Sequence, residues 1–184
     1  MFKLTNYTSS YRAKLIYETY KGWIGKKDRL LDVGCGTGII AEKLGKYFDC
    51  YINGCDVKNY LITDISFKKM PTKTRLPIYK YRFDAVLFND TLHHTTYPNQ
   101  INLIIQAVKM SKSVLLFELK PSFVNKVFDY SINKIHYKNL PVPYTYRSDE
   151  EWENLFRTLN LSFEKREVKR PFLYPFSHVS YKVY

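Results

Sequence analysis

The stretch Leu30-Leu31-Asp32-Val33-Gly34-Cys35-Gly36-Thr37-Gly38 decides the reading of this chain. Its first residues, with Arg29, form the short apolar run RLLDV (29–33), which reads as a buried strand. From Val33 the chain turns through three glycines and runs directly into the helix-forming segment IIAEKLGKYF, 39–48. Such a turn needs glycine because positive φ is inexpensive only without a Cβ, and because a side chain there would collide with a ligand lying over it. The helix that follows begins with unpaired N–H groups and the positive end of a dipole, suited to a carboxylate or phosphate. The dinucleotide pattern G-x-G-x-x-G is not met, since its third glycine would fall on Ile39. The pattern is acidic-x-G-x-G-x-G. An acid at the strand end, Asp32, argues against a nearby pyrophosphate and for a cationic group such as an ammonium.

Upstream, residues 9–25 read as an amphipathic helix capped by Ser9 or Ser10 and ended by Gly25. Leu15, Ile16, Tyr20 and Trp23 form its apolar stripe. Downstream come strands at YINGCDV (51–57) and YLITDI (60–65), then a Pro-containing basic stretch over 66–82 and the strand FDAVLF (83–88). The turn NDTLHHTTYPNQ opens a helix over 99–110, and SVLLFEL (113–119) is a further buried strand. Apolar strands without alternation, interleaved with helices, predict a mostly parallel sheet covered on both faces. The segment 122–137 places Phe123, Val124, Val127, Phe128, Ile132 and Ile135 on one helical face. Ser148 and Glu151 form an S-x-x-E capping box for a helix that turns Trp152, Leu155, Phe156 and Leu159 inward. Two closing strands, 161–169 and 178–184, bring the sheet to seven, with the last alternating as an edge or hairpin strand does. No repeat, linker or low-complexity tract divides the chain, so 1–184 reads as one domain whose N-terminal helix region is 1–28.

The chain has 184 residues, 45% hydrophobic and 25% charged, which excludes disorder as an overall description. No apolar run approaches the length that crosses a bilayer, and the N-terminus lacks the apolar core of a secretory signal. Cys35, Cys50 and Cys55 match no zinc spacing with the four histidines, so no metal is expected, and reduced thiols fit a cytoplasmic setting. The net charge of +12 can steer a protein to nucleic acid, anionic membrane or acidic substrates. The abundance of Lys, Asn, Ile, Phe and Tyr also fits a bias toward A+T-rich codons.

The glycine motif resembles the first motif of the class I S-adenosylmethionine-dependent methyltransferases, matched here from Asp32 through Gly34, Cys35 and Gly36 to Gly38. Further matches stand in the expected order, and the strand and turn at 82–94, the helix at 151–161 and the closing strand resemble the "type 11" methyltransferase group. The resemblance implies a Rossmann-like α/β fold, S-adenosylmethionine as cofactor and a methyl acceptor as partner. It implies that Asp56, at the end of the second strand, takes both ribose hydroxyls, as a carboxylate with two acceptor oxygens can. It places Asp64 and the N–H of Ile65 beside the adenine. Only eight residues separate Asp56 from Asp64, too few for the helix that usually lies between these strands. A solvated surface acid is the competing reading for each.

A methyl group on a sulfonium is already activated, so the protein must hold a nucleophile behind it and exclude water. A general base helps where the nucleophile is a hydroxyl or protonated amine. The candidates are Asp90, His93 and His94 after the fourth strand, with Asn89 assigned to the cofactor; helix capping or packing is the competing role. The insert at 120–147 is the segment that covers the substrate in this family. Its apolar stripe, flanked by Lys126, Lys134, His136 and Lys138, could pack on the sheet or rest on an anionic membrane surface. Tyr130, Tyr137, Tyr144 and Tyr146 could line an aromatic pocket. Phe88-Asn89-Asp90-Thr91 lacks the Asn/Asp-Pro-Pro-aromatic pattern of exocyclic-amine methyltransferases, and no Pro-Cys dipeptide supplies a cytosine C5 nucleophile. Against this, Lys68, Lys69, Lys73, Arg75, Lys80 and Arg82, interleaved with Tyr79 and Tyr81, could track phosphates and stack bases. The expectation is methylation of an O or N nucleophile on a small molecule. An RNA methyltransferase acting on tRNA-type substrates, or a non-catalytic cofactor-fold subunit, are the alternatives.

Overall fold

The structure, a computed structural model, describes residues 2–127, 130, 143–169 and 174–184, and side chains from residue 8 onward. Seven strands form one sheet: β1 (Arg29–Val33), β2 (Tyr51–Asp56), β3 (Ser66–Lys69), β4 (Phe83–Asn89), β5 (Ser111–Leu119), β6 (Phe163–Glu167) and β7 (His178–Val183). Their order is β3-β2-β1-β4-β5-β7-β6, with β7 antiparallel to both of its neighbours and the other described pairs parallel. The chain winds outward from β1 to β3 and returns to the other side of β1 as β4. That reversal places a topological switch point between β1 and β4, at whose carboxyl end such sheets bind ligands.

Four described helices cover the sheet: α1 (Phe2–Tyr20), α2 (Ile39–Phe48), α3 (Tyr97–Met110) and α4 (Asp149–Thr158). Alternate residues of the central strands serve opposite layers. Leu30, Ala85, Leu87, Leu115 and Phe117 pack with Leu15, Ile16 and Tyr20 of α1 and with Leu44 and Phe48 of α2. Leu31, Val33, Val86, Phe88, Val114 and Leu116 pack with Leu103 and Ile104 of α3 and with Trp152 and Phe156 of α4. Both faces are buried, which is why these strands show no polar alternation in sequence. The capping box holds: Glu151 N donates to Ser148 Oγ at 3.2 Å and Ser148 N donates to Glu151 Oε2 at 2.7 Å. Ser148→Ala is expected to cost about 1 kcal/mol, read as a melting temperature lower by about 2–4 °C.

Several boundaries differ from the sequence expectation. The first helix covers Phe2–Tyr20 rather than 9–25, because Gly22 at φ +77° turns the chain and Trp23 N donates to Tyr20 O at 2.9 Å. The third helix starts two residues early, with Pro98 inside its first turn, where a missing N–H costs nothing. The closing strands are trimmed to Phe163–Glu167 and His178–Val183. The expected strand at 60–65 is a loop, and β3 is Ser66–Lys69 instead. The loop is drawn onto the glycine turn, where Ile62 N donates to Thr37 O at 3.1 Å, so its amides are not available to a ladder. Of the helix expected over 122–137, residues 123–127 are helical; 128–129 and 131–137, with 138–142 of the insert, lie outside the described residues.

Candidate functional site

The glycine turn closes over the ends of β1 and β2. Gly34, Gly36 and Gly38 all have positive φ, at +72°, +51° and +79°. Gly34 N and Cys35 N donate to Cys55 O at 2.8 and 3.2 Å. Gly36 N donates to Asp56 Oδ2 at 3.0 Å, and Val57 N donates to Asp56 Oδ1 at 2.6 Å. The first-motif turn and the acid that ends β2 are therefore one hydrogen-bonded unit. Burial raises the pKa of Asp56, opposed by the amides of Gly36, Val57 and Lys58 and by the nearby charge of His94. Another glycine explains the packing beneath: a Cβ on Gly54 of β2 would lie 2.7 Å from Cys35 Sγ. Cys35 is thus a buried filler, its thiol pushed well above the ordinary range by burial.

At the switch point Asp32 and Asn89 meet across adjacent strands, Asn89 Nδ2 donating to Asp32 Oδ1 at 3.0 Å. Asp32 is buried, and burial raises its pKa to about 7, with the Asn89 bond lowering it and the Asp56 charge raising it. Among the described residues no cation pairs with it. A buried carboxylate with only a neutral donor is a site for a cationic ligand group, because an ammonium there restores the charge balance lost with water.

The turn after β4 is built differently. Asp90, at φ +53°, lies 3.2 Å from Arg12 Nε of α1 and 3.1 Å from His178 Nε2 of β7. Burial alone would raise its pKa, but Arg12 and His178 overcome that and hold it down at about 2. Glu118, at the end of β5, accepts Thr91 N at 2.9 Å and Leu92 N at 2.8 Å on one oxygen, and pairs with His93 Nδ1 at 2.6 Å on the other. Asp90, His93 and Glu118 bring ligand atoms within 4.8 Å of one another. Each is already engaged by protein groups, and Arg12 adds a positive charge, so this is a closed polar network that shapes the turn. His93 is buried and stacks on Tyr146 with centroids 5.1 Å apart. His94 is half-buried, edge-on to His93 at 4.2 Å and to Tyr144 at 6.4 Å. Tyr144 in turn meets Tyr130 at 6.2 Å.

The structure thus brings Asp32, Gly34, Cys35, Gly36, Gly38, Asp56, Asn89, Asp90, His93 and His94 to one edge of the sheet. Asp64 is exposed on the loop above, while Ile65 points its Cδ1 toward the positions a Cβ would take on Gly38 and Gly54. The sequence reading passed over Arg12, Glu118 and His178 and took Tyr20 for packing alone. An acid in the otherwise apolar LLFEL was a visible signal for Glu118; the other three come from remote segments with no motif of their own. All six basic residues of the stretch are exposed, and two of them also bond to the protein itself. Lys68 donates to Ile78 O at 2.6 Å and sits over Tyr79, Arg82 donates twice to Ser111 O, and Tyr79 packs edge-on against Phe83 at 4.8 Å.

Residues 31–113 match the family described as "Methyltransferase domain". That segment is an S-adenosylmethionine-dependent methyltransferase domain. The matched segment of the methyltransferase runs from β1 into β5, the half of the sheet that carries the glycine turn, Asp56 and the turn after β4. No curated protein matches the chain in sequence. Solved structures with the same fold include a cyclopropane-fatty-acyl-phospholipid synthase-like protein from Lactobacillus casei, at 10% identity and TM-score 0.68 over 95% of this chain and 90% of that one. A magnesium protoporphyrin IX methyltransferase from Synechocystis, solved with S-adenosylhomocysteine, aligns at 14% identity and TM-score 0.61 over 97% and 83%. A putative methyltransferase of Haloferax volcanii, solved with a methyltransferase activator, aligns at 14% identity and TM-score 0.64 over 87% and 84%. No described helix of the methyltransferase is long and apolar enough to cross a membrane.

Proposed function

We propose that the protein methylates an oxygen or nitrogen of a small-molecule acceptor that enters over the turn after β4, with residues 1–184 acting as one unit and 120–147 covering the acceptor. The observation that carries this reading is the aromatic cluster at His94, where Tyr144 lies edge-on to the half-buried imidazole and Tyr130 packs against Tyr144. Rings in that position suit a compact, partly apolar acceptor. The RNA alternative keeps the exposed Lys69, Lys73, Arg75 and Lys80 of the basic stretch, while Lys68, Arg82 and Tyr79 also make contacts within the protein.

When S-adenosylmethionine binds, Asp32 would hold its ammonium, the turn from Gly34 to Gly38 would leave room for its methionine part, and Asp56 would take the ribose hydroxyls. Asp64 and the N–H of Ile65 would stand beside the adenine. S-adenosylmethionine, when bound, supplies a methyl group already activated for displacement. What this chain contributes is position, exclusion of water and, at His94, a proton acceptor. Asp90 is a poor base when held at about 2, and His93 is engaged by Glu118, so both serve the shape of the turn. Phe123, Val124 and Val127, exposed beside Lys126 on the helical residues 123–127, offer an apolar approach for the acceptor. The three free cysteines suit the cytoplasmic setting that this reading takes.

The test is transfer of labelled methyl from S-adenosylmethionine into a cell extract split into a low-molecular-mass fraction and an RNA fraction. Label in the small molecules, with a His94→Ala variant about 10²–10⁴-fold slower, is the expected result. Label confined to RNA would overturn the acceptor assignment. Undiminished turnover in His94→Ala would remove the base.

A further inference from the structure

Tyr20 is the last residue of α1 and is fully buried. Nothing in the reading above uses it, yet its hydroxyl donates to Asn89 Oδ1 at 3.0 Å, and Asn89 Nδ2 donates to Asp32 Oδ1 at 3.0 Å. The three residues come from α1, β4 and β1, and they form a relay that ends on the acid of the glycine motif. A side-chain amide presents a carbonyl and an NH2 of nearly the same shape, so its direction is set by its partners. If the amide turned over, Asn89 would place a carbonyl oxygen against a buried carboxylate. A donor on the carbonyl side prevents this, and a tyrosine kept protonated is such a donor. Burial, followed by the charge of Asp32, raises the Tyr20 pKa well above its ordinary value, so the hydroxyl keeps its proton at any working pH.

We propose that Tyr20 is a positioning residue of the cofactor site: it fixes the direction of the Asn89 amide and so holds the Asp32 carboxylate for the ligand's ammonium. The inference rests on the reading of Asp32 as the ammonium partner. It also makes the end of α1 part of the cofactor site, although that residue lies outside the methyltransferase motifs.

The groups that bear on Asp32 are Asn89 from β4, Asp56 and Cys55 from β2, and Cys35 in the glycine turn. Tyr20 itself comes from α1 and is influenced by Asp32, Glu118 and Asp90. Asp90 is already balanced by Arg12 and His178. Asn89 is thus the one lowering influence on a carboxyl that burial and Asp56 raise. The sign follows. Losing the oriented donor moves the Asp32 titration upward, so the protonated form, which cannot pair with an ammonium, persists to higher pH.

The experiment is calorimetric titration with S-adenosylmethionine from pH 6 to pH 8, using the full chain and its Tyr20→Phe, Asn89→Leu and Asp32→Asn variants. Tyr20→Phe keeps the ring and its packing. It is expected to bind about tenfold more weakly near pH 6, with the gap narrowing to about twofold near pH 8, as an upward move of the acid limb requires. Asn89→Leu should move that limb at least as far, and adding Tyr20→Phe to it should change nothing more, since the relay is already cut. If Tyr20→Phe proves unstable, the limb in Asn89→Leu decides the matter. Affinity that falls equally at every pH, or not at all, in the folded variants would overturn the proposal. Unchanged binding by Asp32→Asn would instead overturn the ammonium reading beneath it, so the two failures are distinguishable.

Discussion

Gly34→Ala is expected to lower folding stability by about 2–5 kcal/mol and to abolish cofactor binding with it. Two costs add. The backbone at Gly34 has φ +72°, and a residue with a Cβ is about 1–2 kcal/mol less stable in that left-handed region. A Cβ there would also stand 2.5 Å from Thr91 Cγ2 and 2.8 Å from Thr91 Oγ1. Thr91 cannot easily yield, because its hydroxyl donates to Val33 O at 2.9 Å and its amide donates to Glu118 at 2.9 Å. Overpacking of this kind costs about 1–3 kcal/mol more. Against a typical total of about 5–15 kcal/mol the loss is large. Urea denaturation of the two proteins measures it. Gly34→Ala combined with Thr91→Ala should recover the overpacking share and leave the backbone share. A loss below about 1 kcal/mol in the single variant would mean that β1 and β4 can separate at their ends.

Asp56→Ala should weaken S-adenosylmethionine binding by about 10- to 150-fold and also lower the melting temperature of the free protein, because Gly36 N and Val57 N lose their acceptor. Charge-assisted hydrogen bonds are each worth about 1.5–3 kcal/mol, and the assigned role gives this carboxylate the ribose hydroxyls. The same group anchors the glycine turn through Gly36 N and Val57 N, so its removal also loosens the cradle. Asp56→Asn retains one acceptor oxygen and should fall between the two. Calorimetry on all three proteins at one pH ranks them. Binding by Asp56→Ala within twofold of the parent would dissociate this acid from the cofactor.

How much of this was legible varied with the range of the interaction that fixes each element. The capping box at Ser148 and Glu151, the inward face of α4 and the glycine turn are local, and residue types at short spacing specify them. The loop at 60–65 was misread because its apolar and β-branched residues favour a strand, while the decisive partner was Thr37, more than twenty residues earlier. The bare side of Gly38 is what admits that loop: a Cβ there would lie 2.3 Å from Thr63 Oγ1 and 2.7 Å from Leu61 Cδ2. The turn NDTLHH offered three candidate acid–base groups that sequence could not rank. Their separation came from Arg12 on α1, His178 on β7 and Glu118 on β5, all remote in the chain.

Sequence by itself determined the covered parallel sheet, the glycine turn and the acids at the ends of the first two strands. Each of these follows from side-chain volume, backbone freedom or periodicity within a few residues. Only the tertiary structure decided which polar groups at the sheet edge are held as scaffold and which stay available. That choice depends on burial and on charges contributed by distant elements. Asp32 and Asp90 are the same residue type at neighbouring strand ends. One has a neutral donor and is raised to about 7, whereas the other is held at about 2 because Arg12 and His178 outweigh its burial.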